Sequence, residues 1–178
     1  AADETERHGG RRLARHDRAV QACVAAGGEH AHAAHEHDTL FALLAEAIDS
    51  REGNLRGSCA RLCDHALRLG KSLKLSHDDL QALERGALLH DIGKLRVSND
   101  VLLKKSLLTY DEWIELRAHT TKGAEILREL GFEQPVIDIV QYHHEAWDGD
   151  GYPEHKEQEA IPLLARIMKL CDVFTAMT

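Results

Sequence analysis

Prolines are scarce, three in 178 residues, and aromatic residues make up only 4% of the chain. All-β chains need turn formers and aromatic or β-branched runs at short intervals, so this shortage argues against one. A basic excess is also missing. Lys and Arg number 22 against 30 Asp and Glu, a net charge of −8 with His neutral. That argues against a basic face for a nucleic-acid duplex. It leaves room for a small phosphate ligand, because a bound metal can supply positive charge locally. No apolar run approaches the roughly 18 residues of a membrane span, and no signal peptide is visible. The expectation is a cytoplasmic protein without a membrane partner. CxxC pairs are absent as well. The four cysteines are Cys23, Cys59, Cys63 and Cys171. Cys59 and Cys63 share a helix face and read as small buried hydrophobes, with a zinc pair as the alternative.

What the chain does have is Leu, Ala and Glu, which favour helices. Hydrophobic residues are 43% and charged residues 29%, as in an ordinary globular domain. Histidine is plentiful, with thirteen copies. Residues 1–37 read as irregular, an N-terminal linker or the tail of an upstream region, with a short helix over about 11–25. His30, His32, His35 and His37 lie there without an apolar pattern to fix them. The spacing then predicts helices over 38–49, 58–70 with a stop at Gly70, 77–91, 110–130 with a stop at Gly131, 135–146 and 162–177. Ser76 with Asp79 and Thr109 with Glu112 form capping-box pairs. Pro135 and Pro162 mark helix starts. No strand is predicted. The fold class is all-α, a compact helical bundle.

Polar residues fall on the apolar stripes of four of these helices. His90 shares a face with Leu83, and Asp91 with Ala87. His119 lies between Leu116 and Ile126, beside Gly123. His143 and His144 prolong the stripe of Val136, Ile137 and Val140. Asp172 follows Ala165 and Met168. One inward histidine is an ordinary core residue. Four, with two aspartates, are how helical bundles build metal sites from facing helices. Nitrogen and oxygen donors without thiolate suit iron, manganese or zinc.

Three strings carry a resemblance. They are "HDIGK" at 90–94, "LTYDEWIELRAHTTKGAEIL" at 108–127 and "HHEAWDGDGYP" at 143–153, followed by "IPLLARIMKLCDVFTAMT" at 161–178. Over residues 38–178 the chain resembles the HD-GYP domain, a branch of the HD-domain metal phosphohydrolases. The resemblance implies the helical HD bundle and a bacterial phosphodiesterase. Its substrate would be the second messenger cyclic di-GMP, hydrolysed to pGpG or GMP by a hydroxide activated between two divalent metals, iron or manganese first. The implied metal ligands are His90, Asp91, His119, His143, His144 and Asp172, with Asp91 bridging. Lys94 would meet the substrate phosphate, and Gly151, Tyr152 and Pro153 would shape the loop beside it. Two metals about 3.5–4 Å apart can stabilise both the attacking and the leaving oxygen of such a displacement.

The chain also departs from the family pattern. Ser58 stands where the first helix of the family carries a ligating His, and Asn54 where three-metal members carry Glu. One metal then has one protein ligand fewer, which would impair activity. The alternative reading is a degenerate module that binds cyclic di-GMP or a protein, with GGDEF-type cyclase domains as implied partners. The chain stops before the family's "RPY" segment, so the domain is expected to continue beyond it.

Overall fold

The computed structural model describes residues 31–52 and 58–178. Their helices are α1 (Ala31–Glu52), α2 (Ser58–Ser72), α3 (His77–Leu89), α4 (Asn99–Leu102), α5 (Tyr110–Arg117), α6 (His119–Glu129), α7 (Gln134–Tyr142) and α8 (Leu163–Met177). Short 3₁₀ turns cover Ile92–Arg96 and Gln158–Ala160. Among the described residues there is no strand, only an isolated bridge between Asp148 and Glu157. The all-α expectation is met.

Helix α3 lies at the centre. It packs against α1, α2, α7 and α8, and α7 packs in turn against α6 and α8. Leu83, Ala87, Leu127, Val136, Ile139, Val140 and Met168 are fully or almost fully buried between these helices. Each large aliphatic side chain contributes roughly 1.5–3 kcal/mol by leaving water. Ser76 Oγ accepts a hydrogen bond from the Asp79 amide and starts α3. Thr109 and Glu112 form a reciprocal capping box that starts α5. A side-chain cap of this kind contributes about 1 kcal/mol. Gly131 ends α6 in a left-handed turn, φ +76°.

Several boundaries differ from expectation. Helix α1 begins at Ala31 rather than at Asp38. Residues 1–30, with His30 and the helix expected over 11–25, lie outside the described residues, as do the side chains of His32, His35 and His37. Helix α2 runs through Gly70 to Ser72, and Lys74, φ 58°, makes the left-handed turn instead. The helix expected over 110–130 is two helices meeting at Ala118. His119, Thr120 and Thr121 there each hydrogen-bond the carbonyl three residues earlier, at Leu116, Arg117 and Ala118. Side chains that capture nearby backbone carbonyls compete with the helical ladder and bend it. Helices α3 and α7 also end early, and their last carbonyl-binding side chains are His90 and His143.

Candidate metal centre

One device repeats at three helix ends. His90 caps the C-terminus of α3, and its Nδ1 lies 2.9 Å from the Ala87 carbonyl. His143 caps α7, with Nδ1 2.9 Å from the Val140 carbonyl. His119 opens α6, with Nδ1 2.7 Å from the Leu116 carbonyl. A carbonyl can only accept, so each Nδ1 carries the proton and donates it. That orientation leaves Nε2 to face the interior, as in metal-ligating histidines.

The rings converge. The centroid separations are 5.3 Å for His90 and His143, 5.6 Å for His119 and His143, and 4.1 Å for His143 and His144. One nitrogen from each of His119, His143 and His144 falls within 4.8 Å of the others. Asp91 reaches into the same space. Its Oδ2 accepts hydrogen bonds from Lys94 Nζ at 2.8 Å and pairs with His90 Nε2 at 3.1 Å. Its Oδ1 stands 3.4 Å from His119 Nε2.

Glycine makes this convergence possible. A Cβ on Gly93 would lie 1.7 Å from the His119 carbonyl oxygen and 2.6 Å from the Gly123 amide nitrogen. Without side chains at Gly93, the turn after Asp91 presses directly on the start of α6. That contact sets His119 against Asp91.

The electrostatics are strained in one direction. Burial, reinforced by the neighbouring imidazoles, holds His143 well below the usual imidazole range. Burial likewise lowers His119, and it brings His144 down to about 3, helped by the neighbouring His119 ring and Lys169. These rings are neutral at pH 7. Burial opposes charge on His90 as well, but the Asp91 carboxylate outweighs it and raises His90 to about 9. Asp91, despite its burial, is held well below the carboxylate range by His90, Lys94 and His119. Asp172, half-buried on α8, acts on both His90 and Tyr152 through its charge.

Asp91 Oδ1, His119 Nε2 and His143 Nε2 are buried and have no hydrogen-bond partner. All three are acceptors that converge without a proton between them. Buried polar atoms left unmade cost about 1–3 kcal/mol each. A divalent cation satisfies such a set, and the nitrogen and oxygen donors are chemically suited to one. The residues present therefore fit a metal.

The loop after α7 closes the site. His144 stacks on Tyr152, with centroids 4.8 Å apart and planes at 21°. The Tyr152 amide donates to the His144 carbonyl, and the Tyr152–Pro153 peptide is cis. A Cβ on Gly151 would lie 2.2 Å from the Ala146 nitrogen, so the loop doubles back on itself only with glycine there. Glu145, which sequence reasoning missed, anchors the fold of the loop. It is 2% exposed, and its carboxylate accepts from the amides of Glu154 and Lys156 at 2.7 and 3.1 Å. Its position directly after the two histidines, opening a stretch with no periodicity, was the available signal. Lys94, Lys104, His119, His144 and Tyr152 line a cleft of about 400 Å³ together with Leu102, Leu108 and Leu116. Lys94, expected at the substrate phosphate, lies in this wall while bonded to Asp91.

Ser58 is the first residue of α2, but its side chain and all of Asn54 lie outside the described residues. His65 is engaged elsewhere: its Nδ1 is 3.1 Å from Thr175 Oγ1 and its ring meets Phe174 edge-on. Cys59, Cys63 and Cys171 are buried, as the hydrophobe reading expects.

The model of the HD domain matches residues 42–178. The chain belongs to the HD-domain family. Its "HHEAWDGDGYP" string places it in the HD-GYP branch. It is 39% identical over 144 residues to the "Cyclic di-GMP phosphodiesterase response regulator RpfG" of Xanthomonas campestris, covering 80% of this chain and 38% of that protein. It is 31% identical over 136 residues to the "3'3'-cGAMP-specific phosphodiesterase 2" of Vibrio cholerae, covering 75% of this chain and 26% of that one. The chain thus spans well under half the length of these relatives. A crystal structure of a V. cholerae cyclic GMP-AMP phosphodiesterase, V-cGAP3, superposes with a TM-score of 0.62 at 30% identity, covering 78% of this chain and 40% of that one. No helix among the described residues is long and apolar enough to cross a membrane.

Proposed function

We infer that this HD-GYP domain is a metal-dependent phosphodiesterase acting on cyclic di-GMP, with pGpG or GMP as product. The observation that carries the reading is the set of converging, unpartnered buried acceptors on Asp91, His119 and His143. The names of the relatives supply the substrate class. Two divalent ions, iron or manganese, would be held by His90, Asp91, His119, His143, His144 and Asp172. Such ions, when bound, supply Lewis acidity and lower the pKa of water.

The chain's own residues do the rest. Asp91 offers Oδ1 inward while Lys94 and His90 hold Oδ2, which fixes the carboxylate's orientation. Lys94 sits in the cleft wall, where its ammonium offsets charge on a non-bridging phosphate oxygen. Tyr152, clamped on His144, gives the cleft a rigid aromatic side, with Gly151 and Pro153 fixing the loop that carries it. Leu102, Leu108 and Leu116 provide apolar surface for ribose and base. A second messenger is an intracellular substrate, so a cytoplasmic location goes with this reading.

The test is reconstitution with Mn²⁺ or Fe²⁺, incubation with cyclic di-GMP and chromatography for pGpG and GMP. Metal analysis of the same sample should give about two ions per chain. Absence of turnover at full metal loading sinks the reading. Ser58→His raising both occupancy and rate would show that the expected missing ligand limits activity.

A further inference from the structure

The guanidinium of Arg117 lies over two aromatic rings. Arg117 is exposed on the last turn of α5. Its Cζ lies 5.6 Å from the centre of the Trp113 ring, one helical turn earlier, and 5.0 Å from the centre of the Tyr152 ring in the cleft wall. Cation–π contacts of this kind fix a guanidinium without using its N–H groups. Three other arginines spend theirs: Arg51 on the Lys94 and Val97 carbonyls, Arg96 on Glu125 and Glu129, Arg128 on Gln141. Among the described residues, no hydrogen bond or ion pair engages the Arg117 side chain. The result is a planar donor fork, placed beside the site by two aromatic rings and left without a hydrogen-bond partner.

We propose that Arg117 selects guanine over adenine in the bound dinucleotide by donating two parallel hydrogen bonds to N7 and O6. This rests on the cyclic-dinucleotide reading above. Guanine presents two acceptors on that edge, matched to a guanidinium. Adenine presents N7 but an amino donor in place of O6, so one Arg117 N–H would face another donor. A phosphate would also suit the fork. The surroundings favour a base: Trp113, exposed beside the fork, offers flat aromatic surface, on which bases stack. The phosphate role already has a candidate in Lys94, which lines the cleft. The relatives make the choice of base the informative variable, since one is named for cyclic di-GMP and another for 3'3'-cGAMP.

The test uses the metal-reconstituted chain, with cyclic di-GMP and cyclic di-AMP as the two probes. Calorimetric binding and steady-state kinetics are compared for the wild type, Arg117→Ala and Arg117→Lys. The expected result is a wild-type preference for cyclic di-GMP of roughly ten- to hundredfold, the discrimination of one bidentate pair. Both variants should erase it, with the loss in KM rather than kcat. Lysine keeps the charge and loses the fork, so a preference that survives in Arg117→Lys overturns the proposal. Equal weakening of both probes in Arg117→Ala marks a phosphate contact and overturns it too. So does a wild type without preference. A wild type that hydrolyses neither probe, yet binds cyclic di-GMP selectively through Arg117, supports the base contact and sinks the phosphodiesterase reading instead.

Discussion

Two turns in this molecule bury a carboxylate, and they treat it in opposite ways. After α7, Glu145 lies under the loop, and each oxygen accepts a backbone amide from Glu154 or Lys156. After α3, Asp91 has one oxygen held by His90 and Lys94, and the other left unpartnered among neutral imidazoles. Each turn has a glycine that lets backbone pass at contact distance, Gly151 and Gly93. A fully satisfied buried anion holds a shape. One with an open acceptor beside other open acceptors is waiting for a cation. Burial alone does not separate structure from function here; unspent valence does.

The largest expected effect breaks the Asp91 side. Asp91→Asn replaces the inward anion with a neutral amide, and metal content should fall together with turnover. Loss of even an outer partner of a metal ligand costs about 10–100-fold, so a loss beyond 100-fold is expected for a ligand itself. Metal analysis and cyclic di-GMP hydrolysis check it, and unchanged occupancy would remove Asp91 from the ligand set. Glu145→Ala should behave differently. It strands two part-buried amides, and at about 1–3 kcal/mol each the domain should lose roughly 2–6 kcal/mol in urea unfolding. Metal uptake by the folded fraction should persist, since Glu145 faces the loop.

The same contrast reaches the Cα positions of the two turns. Gly93→Ala and Gly151→Ala each force a methyl group into backbone, and overpacking costs typically 1–3 kcal/mol. Gly93→Ala should also lower metal affinity, because it pushes His119 from Asp91. Gly151→Ala should instead raise KM by displacing Tyr152. If the two variants show one phenotype, the separation of roles fails. The smallest effect is the control. Arg96→Ala removes ion pairs to Glu125 and Glu129 that are largely exposed, and should change stability by under about 1 kcal/mol.

The helix faces were legible in the sequence because burial imposes a period. Leu83 with His90, and Val136 and Val140 with His143 and His144, announce a shared interior. The resemblance to the HD-GYP family added the ligand set proposed above. The helix ends were not legible. Periodicity carried α3 to Asp91 and α7 to Ala146, whereas His90 and His143 turn their Nδ1 onto the chain and stop it. That competition between side chain and backbone leaves no mark on an apolar pattern. Glu145 escaped for a related reason, since its partners are amides, which every residue but proline possesses. Arg117 could have been found: Trp113 and Arg117 stand one turn apart, the spacing at which helix neighbours meet.

The three carbonyl-tethered rings of His90, His119 and His143 carry a last consequence, for speed. An imidazole on a free side chain must stop rotating before it can coordinate, and immobilising a side chain costs about 0.5–1.5 kcal/mol. Here folding has already stilled three rotors. An arriving ion would find His119 and His143 already posed, whereas His90, held protonated beside Asp91, must first give up its Nε2 proton.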